Sequence, residues 1–575
     1  MTPTEDFVWK VAGAAGEGIM TTGLLFSKTC ARHGWYIFDY TEYPSLIRGG
    51  HNTYQVAAGK NPIYSQKEKV DLLIALNQDG IELHQEEVGE NSLLVFDQEH
   101  QKIEIEKYNL AAKLIDLPMV RLAKEAGGEE LMANNVALGA SVYLLGLDLD
   151  VLNQVIADVF ADKGQKVIAP NQQAARAGYN FVKKQTQPQL SISKQSSNHL
   201  TMTGNEAVAL GAIAGGLQFY AAYPMTPSSS ILHYLAKNAH TAKIVVKHAE
   251  DEISVINMAI GASFAGARAM VGTSGGGFCL MVEALGMAGI TELPIVIFEG
   301  QRPGPALGLP TWTDQGDLKF VISASHGEFP RFVLVPGDAQ EAFEMTRKAL
   351  ILAETYQTPV IILSDKYLAE SRFTINLATT TFTNGRFGIA ATPTADKTGF
   401  FPRYKLGDSP VSSRSLPGTA GGVYIANSDD HDEYGLSSEE SSMRTNQVDK
   451  RNRKLELMRS EIPKQFWEEE PQSVLTFISF GSTKGTIKSA REILTKEGIL
   501  TNHLNLSWLW PCPKEQIKQV LDNSKNTVVV EGNSEGQLVN LIAQETGIII
   551  KNRLNRYDGR PFYPEEIVDY AKSSV

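Results

Sequence analysis

The sequence predicts an α/β protein of several domains, and three observations support this prediction. Short apolar runs of strand length recur along the chain, and glycine-rich turns followed by helical patterns separate them. The chain has 575 residues, which exceeds the roughly 250–300 residues at which a single hydrophobic core stops growing. Its 43% hydrophobic and 21% charged residues are ordinary for a globular protein. We therefore expect about three compact domains.

Charge and cysteine content exclude some classes of function. The net charge of −12 argues against a surface for nucleic acid or anionic membranes, because such surfaces need concentrated lysine and arginine. No apolar run reaches the roughly 20 residues that span a bilayer, and no signal peptide is visible. The widely spaced Cys30, Cys279 and Cys512 argue against disulfides and against an iron–sulfur cluster held by this chain alone. We expect a cytoplasmic protein that binds neither nucleic acid nor membrane.

The first region, 1–185, begins with a strand, a glycine-rich turn at 13–18, a helix and a second strand. This order predicts a βαβ unit in which the helix N-terminus offers N–H groups to an anion. The turn lacks the full G-x-G-x-x-G fingerprint, so tight packing is favoured over a dinucleotide site that would use Asp39. Arg48, in a polar loop beside a Gly-Gly pair, is a candidate anion ligand, with a solvated loop arginine as the alternative. The polar stretch 186–200 is expected to be a linker.

The second region, 201–372, carries polar turns after its predicted strands. Two prolines bracket Thr226 in the stretch 223–230 and hold it out of a regular helix. The plainer alternative is a serine or threonine that caps the next helix. Further turns at 273–277 and 301–305 follow the next strands. Because open parallel sheets bind ligands at the carboxyl ends of their strands, these turns predict a binding site.

Three residues of this region could converge on one ligand. Arg302 offers a planar fork for a carboxylate, and the Thr226 hydroxyl could hold a second oxygen of the same small acid. Glu252 opens a helix of small apolar residues and could share a proton with a basic nitrogen. Each has an alternative, since Glu252 could cap its helix and Arg302 could pair with Asp314 or Asp317.

The C-terminal part divides into two stretches. Periodicity fades over 373–465, which we expect to be a loop-rich connecting segment. Its acidic run at 429–433 is interpreted as a solvated loop and not as a metal site. The last region, 466–575, returns to strand, turn, helix and strand, and its turn at 481–486 lacks the residue order of a P-loop.

Together these motifs resemble those of the 2-oxoacid:ferredoxin oxidoreductases, in particular α subunits with a γ domain fused at the N-terminus. The stretch 223–229 is similar to the family's YPITPSS signature, with methionine in place of isoleucine. The likeness continues through the other polar stretches, namely 43–52, 250–252, 272–277, 301–305, 308–311, 315–317, 510–511 and 531–538.

The resemblance implies a Rossmann-like γ domain at 1–185, a thiamine-diphosphate-binding domain of pyrimidine type at 201–372, and a transketolase C-terminal-like domain at 466–575. It implies CoA-dependent oxidative decarboxylation of a 2-oxoacid to an acyl-CoA, carbon dioxide and reduced ferredoxin. We favour 2-oxoglutarate as substrate, with pyruvate or broad specificity as the alternative. A non-catalytic scaffold subunit is the alternative of another class.

The resemblance also assigns roles by position in the motifs. Glu252 is the catalytic glutamate on the aminopyrimidine ring of thiamine diphosphate. The 2-oxoacid is expected against Thr226 and Arg302, with Tyr223 and Pro227 beside them.

Three more residues, Thr273, Ser274 and Gly275, are assigned to the cofactor site, and Arg48 becomes a candidate for CoA or a substrate anion. No metal ligand is assigned to this chain, because its sequence contains no Gly-Asp-Gly, with which the diphosphate and magnesium motif of thiamine enzymes begins. A β subunit is therefore expected to bring Mg²⁺ and the [4Fe–4S] cluster. The expected assembly is (αβ)₂, with ferredoxin as electron acceptor.

Overall fold

The computed structural model describes residues 5–46, 49–108, 110–189, 199–376 and 385–574. Arg48 and most of the expected linker lie outside these described residues. The chain divides into two compact units. The first comprises Met1–Met202, Glu370–Asn376 and Tyr563–Ile567, and the second comprises Thr203–Ala369, Leu377–Phe562 and Val568–Val575.

The strands are β1 (Asp6–Ala14), β2 (Tyr36–Glu42), β3 (His51–Gly59), β4 (Leu72–Ala75), β5 (Leu93–Phe96), β6 (Lys113–Asp116), β7 (Leu200–Thr203), β8 (Phe219–Ala222), β9 (Val245–His248), β10 (Ala269–Thr273), β11 (Ile295–Gln301), β12 (Phe332–Leu334), β13 (Pro359–Asp365), β14 (Arg372–Ile375), β15 (Phe466–Glu468), β16 (Leu475–Phe480), β17 (Thr501–Leu506), β18 (Trp508–Trp510), β19 (Thr527–Glu531) and β20 (Asn552–Asn555).

The helices are α1 (Ile19–Arg32), α2 (Gln78–Glu82), α3 (Gln98–Gln101), α4 (Met119–Glu125), α5 (Ala133–Leu144), α6 (Leu149–Val159), α7 (Gln165–Gln185), α8 (Gly204–Ala214), α9 (Ser229–Ala242), α10 (Glu252–Phe264), α11 (Gly275–Ile290), α12 (Leu318–Ser323), α13 (Ala339–Tyr356), α14 (Lys366–Glu370), α15 (Ser441–Arg459), α16 (Thr483–Lys496), α17 (Lys514–Asp522), α18 (Gln537–Thr546) and α19 (Pro564–Ser574). The α/β class predicted from the sequence is confirmed.

The first unit is built on a sheet with the strand order β6-β5-β4-β1-β3-β2-β14-β7. The predicted βαβ unit forms, but β1 and β2 are not neighbours. Strand β3 lies between them and pairs antiparallel with both. Residues 53–58, which lie in β3, make this pairing. The order of the elements along the chain does not reveal that β3 lies between β1 and β2.

Asp39, which a dinucleotide site would need, is buried in this unit. Its carboxylate accepts hydrogen bonds from Ser27 Oγ at 2.9 Å, Tyr54 OH at 2.6 Å and the Arg372 backbone N–H at 2.8 Å. Burial raises the pKa of Asp39, and the charge of Arg372 opposes that rise. Asp39 therefore serves the packing of β2 against β14, which removes the support for a ribose-binding role.

The sheet of the second unit that positions the candidate site has the order β18-β12-β13-β11-β10-β8-β9. All neighbours in it are parallel except β12 and β18. Helices α10, α11 and α12 contribute Val255, Phe278 and Leu318 to the apolar core on one face of this sheet. The predicted polar turns follow β8, β10 and β11, so they lie together at the carboxyl edge as expected.

A second sheet of the same unit has the order β15-β17-β16-β19-β20. Its predicted strand, turn and helix are confirmed, although α16 begins at Thr483 and so takes up most of the predicted turn. Gln315 joins this sheet to the loop before α12. Its side chain donates to Phe480 O at 3.0 Å and accepts from the Gly532 N–H at 2.8 Å.

The connecting segment differs from its prediction. It contains the 19-residue helix α15, which the sequence did not predict. In the acidic run interpreted as a solvated loop, His431 is fully buried, with its ring centroid 4.1 Å from that of Tyr404. The physical reason is that α15 buries polar and charged side chains where an amphipathic helix would bury an apolar stripe. Its sequence therefore lacks the three- and four-residue spacing of apolar residues that identifies a helix.

Candidate functional site

The turn after β8 is fixed by side chains at its back. Asn205 Nδ2 donates to Pro227 O at 2.7 Å, and Ser228 Oγ donates to Met225 O at 2.8 Å. Helix α9 begins at Ser229, and its N-cap position is Ser228. The half-buried Thr226 therefore lies before the helix and is not its cap.

Arg302 follows β11 and reaches this turn. Its Nη1 donates to the main-chain oxygen of Thr226 at 2.8 Å, so the predicted convergence of the two loops is confirmed. No ion pair within 4.0 Å joins this buried guanidinium to a carboxylate of the described residues, which contradicts direct pairing with Asp314 or Asp317. Burial lowers the pKa of Arg302, while the acidic charge nearby, carried by Asp317, opposes that lowering. The cation is thus available to an anionic ligand.

Glu252 is the first residue of α10, but it does not cap the helix. Asp251 is the N-cap residue, and its Oδ1 accepts the Ser254 N–H at 2.7 Å. Glu252 is buried, and no donor among the described residues bonds its Oε1. A buried carboxylate oxygen without a partner is costly, which makes it a candidate ligand contact.

Gly277 in the first turn of α11 makes room for that carboxylate. A Cβ at this position would lie 2.5 Å from Glu252 Oε1 and still closer to Thr273 Oγ1. Thr273 Oγ1 also lies 4.0 Å from Met225 Sδ, so β10 brings the Thr226 turn and Glu252 to the same pocket wall.

The turn predicted at 273–277 is mostly helical, because α11 begins at Gly275. Gly275 begins α11 and Ser274 is its N-cap residue, so the backbone of the glycines is fixed by helix geometry. Ser274 is fully buried, and its Oγ has no hydrogen-bond partner among the described residues. This hydroxyl is a second unsatisfied polar group near Glu252.

Tyr223 and Pro227 occupy different environments. Tyr223 is exposed, and its ring centroid lies 6.4 Å from that of His248. Pro227 is buried against β11, where a Cβ on Gly300 would lie 2.8 Å from Pro227 Cγ. Tyr223 therefore faces outward from the turn, and Pro227 packs against β11 behind it.

One residue at this edge was missed by sequence reasoning. Glu299 lies near the end of β11, three residues before Arg302, and is fully buried. Its signal in the sequence is a single acid directly after the apolar run 295–298, a pattern that by itself indicates only the end of a strand.

The outer faces of α10 and α11 expose three large apolar side chains, Ile253, Met258 and Leu280, alongside polar residues such as Asn257 and Glu283. Both helices are apolar around much of their circumference, which is unusual for a helix that faces water. The pocket wall is therefore bordered by a surface suited to another protein chain.

Within the ranges that the structure describes, no helix combines the length and apolarity needed to cross a membrane.

Three family models match successive parts of the chain. They are described as "Pyruvate ferredoxin/flavodoxin oxidoreductase" for residues 8–181, "Pyruvate flavodoxin/ferredoxin oxidoreductase, thiamine diP-bdg" for residues 210–450, and "Pyruvate:ferredoxin oxidoreductase core domain II" for residues 474–567.

Named relatives agree with these models. The 2-oxoacid:ferredoxin oxidoreductase subunit alpha of Saccharolobus solfataricus is 32% identical over 99% of this chain and 97% of its own length. The 2-oxoglutarate synthase subunit KorA of Archaeoglobus fulgidus is 31% identical over 65% of this chain and 98% of its own length. Among solved structures, a 2-oxoglutarate:ferredoxin oxidoreductase from Magnetococcus marinus with 2-oxoglutarate, coenzyme A and succinyl-CoA bound is 34% identical. The match to it has a TM-score of 0.91 and covers 99% of both chains.

Proposed function

Since the chain belongs to the 2-oxoacid:ferredoxin oxidoreductase family as an α subunit, we propose that its carboxyl-edge pocket binds the 2-oxoacid and the aminopyrimidine end of thiamine diphosphate. The observation that carries this proposal is the presence at one sheet edge of a buried carboxylate oxygen without a partner, on Glu252, and of a buried arginine without an ion-paired carboxylate within 4.0 Å among the described residues, Arg302. The Glu252 carboxylate suits a basic nitrogen, and the Arg302 guanidinium suits an anion.

The residues present fit the cofactor. Glu252 Oε1 lacks a donor, Ser274 Oγ lacks a partner, and Gly277 keeps the space beside the carboxylate open. When bound, thiamine diphosphate supplies the carbon nucleophile for the keto group. Glu252 holds or releases a proton at its Oε1, and its burial between α10 and α11 keeps water from competing for that proton. Thr273, Ser274 and Gly275 form the adjoining wall.

Arg302 and Thr226 are proposed to bind the substrate. The guanidinium attracts the carboxylate of the 2-oxoacid through charge-assisted hydrogen bonds, which are stronger where water is excluded. Its bond to Thr226 O fixes the direction in which the remaining N–H groups point. The Thr226 hydroxyl then serves a second oxygen of the substrate. Tyr223 borders the entrance and Pro227 keeps the turn rigid.

The relatives are subunits of multi-subunit enzymes, and we propose that a β subunit covers the exposed face of α10 and α11. That partner supplies Mg²⁺ and the [4Fe–4S] cluster, and ferredoxin accepts the electrons from an (αβ)₂ assembly in the cytoplasm. The proposed division into a γ domain at 1–185, a pyrimidine-type domain at 201–372 and a C-terminal domain at 466–575 follows the same family pattern.

2-Oxoglutarate is the proposed substrate. The matched solved structure, 34% identical to this chain, holds 2-oxoglutarate and coenzyme A. The proposal gives CoA-dependent formation of succinyl-CoA, carbon dioxide and two electrons. Arg48 remains a proposed contact for CoA or for the second carboxylate of the substrate.

The test uses the αβ complex with a viologen as acceptor. We expect Glu252→Gln to lower kcat on the order of 100-fold or more, because loss of a positioned acid–base group typically costs 10²–10⁴-fold. We expect Arg302→Ala mainly to raise KM for the 2-oxoacid. Arg453→Ala, at an exposed arginine of α15, is the control and should behave as wild type.

The outcomes also separate the alternatives. Wild-type turnover by both site variants, with assembly intact on size-exclusion chromatography, would favour the scaffold function. Equal rates with pyruvate, 2-oxobutyrate and 2-oxoglutarate in the wild-type complex would refute the proposed substrate preference.

A further inference from the structure

Glu299 is a buried acid in an apolar row. On β11 it shares one face with Ile295 and Ile297, which belong to the core packed against α10, α11 and α12. Glu299 is fully buried, and neither carboxyl oxygen has a hydrogen-bond donor among the described residues. A lone ionised carboxylate in such a place is strongly disfavoured.

A second acid lies at the same strand end: Asp317, at the start of α12, donates its backbone N–H to Oε1 of Gln301, two positions after Glu299 on β11, and its charge acts on Glu299. Two carboxylates in contact cannot both be ionised, so one of them must carry a proton and donate it to the other. Burial raises the pKa of Glu299 well above its usual range, and the charge of Asp317 raises it further. For Asp317, burial also raises the pKa, but the bond to Glu299 and the charge of Arg302 oppose that rise.

The surroundings place the proton on Glu299 and the negative charge on Asp317. The Asp317 carboxylate lies against Gly275, where even a Cβ would collide with Oδ2. Gly275 is the first residue of α11, and the N-terminus of a helix favours a negative charge. Glu299 lies between Ile297 and Gln301 on its strand face and beside Thr273 of β10, and no cation within 4.0 Å pairs with its carboxyl group among the described residues, which favours the neutral form.

Gln301 holds the two acids in register. Its Oε1 accepts the Asp317 backbone N–H at 3.0 Å, and its Nε2 donates to Ser364 O at 3.1 Å. The start of α12 is thereby fixed to β11 and β13. Arg302 follows Gln301 directly, so the acids and the arginine are fixed by the same strand end.

We propose that Glu299 and Asp317 form an acid pair that holds one proton and positions Arg302, so that its guanidinium faces one negative charge and remains able to bind the substrate carboxylate. This inference rests on the proposed function of Arg302. The other titratable groups that act on the pair are Cys279 on α11, Asp365 at the end of β13 and Asp314 in the loop before α12. All three would add negative charge if ionised, which strengthens the need for the shared proton.

The charge balance has a consequence for binding. If Glu299 lost its proton, a second negative charge would compete with the substrate for Arg302. KM for the 2-oxoacid should therefore rise at alkaline pH while kcat changes little. Substitution of Glu299 by glutamine keeps a donor to Asp317 and removes the titration, so the alkaline rise in KM should disappear.

Infrared difference spectroscopy of the full complex tests the pair without relying on turnover. At neutral pH we expect a carbonyl band from a protonated carboxylic acid in the wild type that is absent from Glu299→Gln. Glu283→Gln, at an exposed acid of α11, is the control and should retain the band. Asp317→Asn is a second variant in case the first does not fold. Its amide can donate to an ionised Glu299, so the band should weaken or vanish.

Kinetics give the second readout. In wild type, KM should rise roughly three- to tenfold once alkaline pH removes the shared proton, the size expected for one added charge in a partly screened site. In Glu299→Gln it should stay flat. Three outcomes would overturn the acid pair. The protonated-acid band could be absent from the wild type, the variant could keep the wild-type rise of KM with pH, or the substitution could release a stoichiometric divalent cation. Normal substrate binding by Arg302→Ala would instead refute the proposed function and leave the infrared result standing.

Discussion

At the scale of single residues, the position of Glu252 depends on a missing side chain. A Cβ on Gly277 would lie 2.5 Å from Glu252 Oε1, within the distance at which an atom must move. The carboxylate is buried and cannot move outward without losing its place beside Thr273. The glycine therefore leaves the space that Glu252 Oε1, the proposed proton-transferring oxygen, occupies.

We predict that Gly277→Ala lowers kcat with little change in assembly. A displacement of about 1 Å in a catalytic group costs on the order of 100-fold in rate, so a loss near that size is expected. Steady-state kinetics of the αβ complex provide the measurement. Gly276→Ala is the matched control, because its Cβ would meet only Ala306 O, at 3.6 Å. Similar kcat values for the two variants would contradict the role given to Gly277.

The same scale shows what the sequence could and could not predict. Thr226 and Arg302 were predicted to converge because turns after parallel strands share one edge, and their 2.8 Å contact agrees. That contact uses the main-chain oxygen of Thr226, which residue type cannot reveal. The pairing of Glu299 with Asp317 joins a strand to a helix start 18 positions later. Only the path of the intervening loop brings the two acids together.

At the scale of elements, α15 is held by buried charges. Lys450 and Lys454 both contact the Glu292 carboxylate, with Nζ to oxygen distances of 2.6 Å and 2.5 Å, and all three side chains are buried. Arg403 Nη2 donates to Glu292 O at 2.8 Å. Burial acts to raise the pKa of Glu292, but these cations outweigh it and hold that pKa far below its usual range.

We predict that Glu292→Gln destabilises the second unit by about 3–5 kcal/mol, because two buried ammonium groups lose their counter-charge. Glu456→Gln, at an exposed position of α15, is the control and should change stability little. Chemical denaturation near neutral pH measures the difference. Since the pKa of Glu292 is lowered by folding, its contribution is present above the unfolded pKa and is lost as the pH falls. The gap between wild type and variant should therefore shrink in acid, and a constant gap would contradict this explanation.

The charged face also explains why sequence reasoning missed α15. A helix is recognised by apolar residues at three- and four-residue spacing, whereas this one buries Gln447, Lys450, Arg451 and Lys454. The start of the small-residue helix α10 could be predicted from the sequence, because most of the positions that it buries are apolar. In the first unit, local order correctly predicted β1, α1 and β2. The insertion of β3 between the strands depends on a longer-range pairing that local order does not encode.

At the scale of the whole molecule, the candidate pocket lies beside an apolar surface. Ile253 and Met258 on α10 and Leu280 on α11 are exposed around the wall that carries Glu252. The relatives that match this chain along its length are named as α subunits. The proposed oxoacid site needs water excluded. Cover of the exposed apolar side chains by the proposed second subunit would exclude water from that site.

We predict that Met258→Glu weakens assembly with the β subunit and lowers turnover in proportion. The side chain is 44% exposed, so the folded chain should tolerate a carboxylate there. Burial of that carboxylate in an apolar interface has no compensating partner and is costly. Leu457→Glu on α15, where the native side chain is 43% exposed, is the matched control and should assemble normally. Sedimentation of the mixed subunits measures the association, and saturating β subunit should restore part of the activity. Wild-type association of the Met258 variant would place the partner on another face, and equal weakening in the Leu457 variant would show that added charge, not position, is responsible.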